Sequence, residues 1–292
     1  MARITVVGSS AIDLVVVSDK RPIKGETIIG KSFNTVPGGK GANQAVAAAR
    51  LGAEVKMIGA VGQDAFGNEI MENFNMNKVD TEAINVTDEV ETGTAHITLA
   101  EGDNSIIVVK GANDSITPEY IQEHEDILKN SDMVLIQQEI PKETVEAVIN
   151  FCFDAGVKVL LNPAPARPVS LDLLEKVDYV TPNEHEAEIL FQTKDIREAL
   201  KKYPNKALIT EGAAGVRYFD GEKEVLVPGY KVEVVDTTGA GDTFNGALAV
   251  ALAEGKSLEE SIRFGNRAAS LSVTGFGAQG GMPIRETVEE AM

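Results

Sequence analysis

Short apolar runs recur along the chain at Ile4–Val7, Val55–Ile58, Met133–Ile136, Val157–Leu161, Tyr179–Val180 and Ala207–Ile209, each bounded by polar or glycine residues. They have strand length. Between them, helical stretches are read at Ala42–Arg50, Phe66–Asn77, Thr117–Lys129, Pro141–Ala155 and Asn183–Phe191. Buried strands alternating with helices predict an α/β fold, a central and mostly parallel sheet with helices on both faces. Helix-start signals agree, since Thr117-Pro118-Glu119 and Pro141-Lys142-Glu143 place proline and an acid in a first turn. Two helix-poor segments, 13–33 and 94–109, break the rhythm, and the second alternates around the turn Glu101-Gly102-Asp103-Asn104. They predict a small separate β-sheet, either a lid over a ligand site or an ordinary edge hairpin. No repeat or linker interrupts the remainder. Residues 1–292 are therefore read as one domain with the lid at about 13–33 and 94–109.

Composition narrows the partners. The 292 residues are 43% hydrophobic and 25% charged, as in ordinary globular proteins. Forty-five acidic against 27 basic residues leave a net charge of −18. Nucleic acid and anionic membranes both want a basic face, so neither is expected as a partner. Any nucleotide must be held by local N–H groups, a lysine and metal ions. Cys152 is the single cysteine, which excludes an internal disulfide, and its place between Phe151 and Phe153 reads as a buried thiol. The start Met1-Ala2-Arg3 leads directly into a strand with no signal peptide, and a cytoplasmic location is expected. The three histidines, His96, His124 and His185, lack metal-ligand spacing.

The chemistry concentrates in Asp236–Leu248, where Gly239-Ala240-Gly241 precedes Asp242 and an apolar helical run. Small residues let backbone N–H groups converge there, and the helix start adds positive dipole. A carboxylate beside an anion site is explained by reaction: Asp242 takes a proton from a hydroxyl while the N–H groups stabilise a phosphoryl group in transit. A second loop, Pro37–Asn43, holds Gly38, Gly39 and Gly41 around Lys40, with Asn43 following. It lets a ligand approach the backbone closely and supplies donors for hydroxyls. It is not a dinucleotide fingerprint, because Gln44 stands where the third glycine belongs. Gly255-Lys256-Ser257 is not a P-loop end, because position 250 is Val and a helix precedes it.

The first loop, continued through Gln44–Ala53 to Gly62–Gly67, resembles the amino-terminal signature of the ribokinase-like carbohydrate kinases. Asp236–Leu248 resembles their carboxy-terminal signature, and Asn162–Arg167, Thr181–Glu188 and Val273–Gln279 extend the likeness in the same order. This resemblance implies ATP-dependent phosphorylation of D-ribose at its 5-hydroxyl, with Asp242 as catalytic base. It implies sugar binding by Asp13, Gly39, Lys40, Gly41, Asn43, Glu139 and Asp242. Read unaided, Glu139 is either a ligand group at the carboxyl end of a strand or a solvated acid before Pro141. The resemblance implies an ATP site at Asn183, Glu186, Thr210, Gly212, Gly215, Gly239, Ala240, Gly241 and Asn266, with Asn183 and Glu186 organising the Mg2+–phosphate end. By spacing alone, Asn183 and Glu186 are also a helix cap and its capping-box partner. It further implies a potassium site from Asp236 and carbonyls of Thr238, Ser272, Gly275, Gly277 and Gly281, and a homodimer formed through the lid.

Three departures stand out. Ala11 occupies a position where such kinases commonly carry Asn, which removes one hydroxyl contact and keeps deoxyribose open as a substrate beside fructose or adenosine. Gly275 replaces a common Arg, which leaves a carbonyl site intact. The stretch from Gln192 to Lys206 is short, so a trimmed peripheral helix is expected. A non-catalytic sugar sensor on the same scaffold is disfavoured, because Asp242, Asn183, Glu186 and the Gly239–Gly241 turn are all present.

Overall fold

A computed structural model describes all 292 residues. The strands are β1 (Arg3–Val7), β2 (Ala11–Val17), β3 (Ser32–Gly38), β4 (Glu54–Gly62), β5 (Val79–Asp80), β6 (Ile84–Thr87), β7 (Gly93–Ala100), β8 (Asp103–Val109), β9 (Met133–Ile136), β10 (Val159–Leu161), β11 (Tyr179–Val180), β12 (Ile209–Thr210), β13 (Gly215–Phe219) and β14 (Glu224–Pro228). The helices are α1 (Lys40–Arg50), α2 (Ala65–Met76), α3 (Pro118–Glu123), α4 (Glu125–Lys129), α5 (Lys142–Ala155), α6 (Leu171–Lys176), α7 (Glu184–Phe191), α8 (Ile196–Lys202), α9 (Ala240–Ala253), α10 (Leu258–Ser272) and α11 (Arg285–Glu290).

The central sheet runs β11-β10-β9-β1-β4-β5, with β6 beside the far end of β4, and every pairing in it is parallel. Alternation along each strand divides the core into two layers. Ile4, Val6, Met133 and Leu135 pack with α1, α2, α9 and α10 on one face. Val7, Val134 and Ile136 pack with α5, α6, α7 and α8 on the other. Cys152 lies in this second layer, where burial pushes its thiol up to about 12. No helix is long and apolar enough to cross a membrane.

A separate four-stranded sheet runs β3-β2-β7-β8, with a parallel β2–β7 pair between two antiparallel ones. Its strands differ from the predicted limits: β2 begins at Ala11, β3 extends to Gly38, and 18–31 is irregular. The β7–β8 turn is the pair Glu101-Gly102, with φ of 59° and 76°, the doubly left-handed geometry that matches strand twist. β12, β13 and β14 form a third, antiparallel sheet attached to β11 through bridges at Val180–Ala207 and Asn183–Thr210. The predicted helix over 117–129 is two helices, because His124 leaves helical geometry at φ −116°, ψ 16°. The short segment after Gln192 keeps a helix, the seven-residue α8.

Phe74 is fully buried in the layer under α2. Phe74→Ala should lower unfolding free energy by about 3–5 kcal/mol, read as a lower urea midpoint at unchanged slope.

Candidate active site

α1 and α9 are built from small residues where they face each other, and this closeness creates the site. A Cβ at Gly246 would lie 2.8 Å from the Ala47 side chain and 2.9 Å from the Gln44 carbonyl. The first turns of both helices therefore meet at the carboxyl end of the parallel strands, where ligands bind in open α/β sheets. Asp242 projects there from α9 and is only 7% exposed. Asn43 Nδ2 donates to one carboxylate oxygen at 2.9 Å and Gln44 Nε2 to the other at 3.0 Å. Gln44 also donates to Asn162 Oδ1 and accepts from Gln137 Nε2 at 2.7 Å. Burial raises the Asp242 carboxyl above its ordinary range, against the pull of Lys40 and the two amides. A carboxyl held above its ordinary range is a better proton acceptor than a free one, which suits a general base.

The other predicted sugar residues surround this carboxylate. Asp13 lies on β2, Gly39 caps α1, and Lys40, Gly41 and Asn43 occupy its first turn. Glu139 follows β9 and accepts from Ser9 Oγ at 2.5 Å and from the Lys40 backbone N–H at 3.0 Å. Burial, then the neighbouring Glu139 and Asp242 charges, raise Asp13 to about 6. Lys40 is held above its usual range, first by Asp242 and then, against burial, by Glu139, Glu186 and Asp13.

Beside this cluster opens a cavity of about 880 Å³. Asn183, Thr210, Gly212, Gly215, Ala240, Gly241 and Asn266 of the predicted nucleotide set line it, while Glu186 and Gly239 stand outside its wall. Asn183 and Glu186 form a reciprocal capping box at 2.8 Å in both directions, so the bland reading of the pair holds in this structure. Burial still raises Glu186, which is close enough to Lys40 and Asp242 to feel both. Asn266 spends its Nδ2 on the carbonyls of Val227 and Pro228, which leaves only its Oδ1. Gly239 caps α9 at φ 78°, and a Cβ there would lie 2.3 Å from the Ala278 carbonyl. Of the predicted anion-hole turn, the Ala240 N–H is already given to the Thr237 carbonyl at 3.2 Å.

The predicted cation residues also converge. Asp236 accepts from Thr238 N–H and Oγ1 at 2.9 and 2.7 Å and from Gly277 N–H at 2.9 Å. Burial alone would raise this carboxyl, but these donors hold it below its usual range. Gly275 donates to the Ser272 carbonyl at 3.3 Å, and Gly281 packs against that same carbonyl.

A pfkB family carbohydrate kinase profile matches residues 1–285. The chain belongs to the pfkB family of carbohydrate kinases. It is 60% identical over 292 residues, all of both chains, to the ribokinase of Bacillus subtilis. It is 50% identical to the ribokinase of Lactococcus lactis over 97% of this chain and 94% of the relative. The structure of Arabidopsis thaliana ribokinase complexed with ribose and ATP superposes with a TM-score of 0.91 at 37% identity, covering 99% and 98% of the two chains.

Sequence reading missed several groups in this kinase. Gln44, Gln137 and Gln279 are buried amides at its centre, and Tyr230 and Thr237 line the adjoining cavity. The signal for Gln44 was its place in an otherwise alanine-rich helix, and for Gln137 its place at the end of a wholly apolar strand.

The raised Asp13 carboxyl has a stability consequence. The folded state holds its proton more tightly than the unfolded chain, so stability is lost as pH rises from about 4 through 6. Asp13→Asn should abolish that loss and leave the variant about 2 kcal/mol more stable than wild type at pH 7. Denaturant melts of both proteins at pH 4 and pH 7 read the difference.

Proposed function

We propose that this chain transfers the γ-phosphoryl group of ATP to the 5-hydroxyl of D-ribose, with Asp242 as the base. One observation carries the reading: a buried carboxylate, oriented by two amides, stands between the polar cluster of Asp13, Lys40 and Glu139 and a cavity of about 880 Å³. Asp13, Asn43 and Glu139 hold the sugar hydroxyls, and Lys40 balances charge beside them. Asp242 accepts the proton of the 5-hydroxyl as its oxygen attacks phosphorus in line, and the phosphorus–oxygen bond to ADP breaks. Most of the acceleration comes from positioning and charge stabilisation.

Charge balance argues for metal ions. Asp13, Glu139, Glu186 and Asp242 share Lys40 as a cationic neighbour, and a triphosphate adds further negative charge. Mg2+ bound with ATP would neutralise phosphate oxygens, with Asn183 and Glu186 near its hydration shell. The Asp236 loop suits a monovalent cation such as K+, because it offers one carboxylate kept ionised and bonded to Gly277, with Gly275 and Gly281 gathered at the Ser272 carbonyl. Bound there, the ion would brace the loop on which Gly239 packs.

The four-stranded sheet serves in this reading as a lid and as a dimer surface. β8 pairs only with β7, and Ile106, Ile107, Val108 and Val109 are each more than half exposed. An edge strand with four consecutive exposed apolar residues is normally covered, here by the lid of a second copy. A cytoplasmic setting, which supplies ATP and keeps the buried Cys152 thiol reduced, belongs to the same reading.

The deciding assay is ADP release from Mg-ATP with D-ribose, deoxyribose, fructose or adenosine, with and without potassium. Preference for ribose is expected, and preference for another acceptor would keep the mechanism but move the substrate. No turnover on any acceptor would favour a sugar-sensing role. Asp242→Asn should cut kcat by about 10²–10⁴, and a near-normal rate would remove Asp242 as base. Light scattering should find a dimer in wild type and a monomer in Ile107→Lys.

A further inference from the structure

Arg50 closes α1 on the side of the site remote from the sugar cluster and makes no ion pair with any carboxylate. A partly buried guanidinium without a counter-charge is costly unless its donors are used. Arg50 Nη1 donates to the carbonyls of Gln279 and Met282 at 2.6 and 3.1 Å, and its Nε donates to Asn77 Oδ1 at 2.8 Å. From Asn77 the bonds continue in one direction. Asn77 Nδ2 donates to the Asn73 backbone carbonyl at 2.8 Å and to Asn73 Oδ1 at 3.3 Å, and Asn73 Nδ2 donates to Gln279 Oε1 at 2.9 Å. Gln279 Nε2 donates to Asn43 Oδ1 at 2.9 Å, and Asn43 Nδ2 donates to Asp242 at 2.9 Å.

Every link runs N–H to oxygen from a permanent cation to a carboxylate. A side-chain amide whose oxygen accepts a bond presents its nitrogen elsewhere, so each link fixes the orientation of the next. Without Gln279, Asn43 could turn its oxygen toward Asp242 and repel it. Polarisation adds along such a chain, strengthening the last donor. We propose that Arg50, Asn77, Asn73 and Gln279 are positioning residues that act on Asp242 through Asn43, in a polarised hydrogen-bond chain from α1 and α2 across the loop after α10. None of the four needs to touch sugar or nucleotide for this role. Gln279 lies between Gly277 and Gly281, so the same chain ties the orientation of the base to the loop that carries them.

The inference rests on Asp242 being the base of a sugar kinase, and the test separates the two. The variants are Asn73→Leu and Gln279→Met, with near-UV circular dichroism to establish native packing. In kinetics, kcat should fall about three- to tenfold with KM for ribose and ATP within about twofold of wild type. The acid limb of the kcat profile should move upward by roughly half a pH, because a weakened donor favours the protonated carboxyl. Lys40, Asp13, Glu139 and Glu186 also face Asp242. The Asp242 signal is therefore followed directly by carbon-13 carboxyl titration and assigned through Asp242→Asn. Absence of wild-type turnover would defeat the kinase reading and leave the carboxyl titration to judge the chain. Wild-type turnover, with both folded variants matching wild type in kcat, acid limb and titration, would overturn the chain. If Asn73→Leu does not fold, Gln279→Met and Arg50→Lys decide by the same readouts.

Discussion

The buried Asp242 carboxylate is the constraint around which this molecule is organised. An ionised carboxylate removed from water is costly unless several donors replace its hydration. Here two amides supply that replacement, from consecutive residues Asn43 and Gln44 at the first turn of another helix. Consecutive helical residues point about 100° apart, so they reach both carboxylate oxygens only if α1 and α9 nearly touch. The glycine and alanine residues along that contact are the means by which the helices approach. Packing, hydrogen bonding and the state of this carboxylate are thus one problem with one solution.

Electrostatics follow from this placement. Asp13, Glu139, Glu186 and Asp242 gather around Lys40 in a protein already carrying a charge of −18. Burial first, and then the mutual repulsion of these carboxylates, raises Asp13, Glu186 and Asp242. Function accepts that cost, since polyhydroxy ligands need acceptors and bound cations can relieve the repulsion. Glu139 illustrates the economy of the arrangement. One of its oxygens takes both the Ser9 hydroxyl and the Lys40 backbone N–H, which fastens the glycine-rich loop to the end of β9.

The loop after α10 links regions that look independent. Its Gly277 N–H holds Asp236, its Ala278 carbonyl abuts Gly239, and its Gln279 side chain holds Asn43. A change in this loop therefore meets both the helix that carries Asp242 and one amide that orients it.

Much of this was written in local pattern. The short apolar runs at Ile4–Val7 and Met133–Ile136, set between helical stretches, are enough to announce a parallel sheet covered on both faces. The glycine turn before Asp242 reads as an anion site and the loop around Lys40 as a ligand-facing loop, because backbone approach and dipole are properties of a few adjacent residues. Boundaries were less legible: His124 broke a helix and β3 ran on to Gly38, since strand pairing and capping depend on partners far along the chain. The polar interior was not legible at all. Gln44, Asn73, Asn77 and Gln279 read as ordinary amides, and residue spacing carries no sign that 206 positions separate Asn73 from the Gln279 oxygen it donates to. Hydrophobic periodicity is a local property that sequence alone determines. The direction of a buried hydrogen bond exists only once the fold has brought donor and acceptor together, and only the tertiary structure decided it.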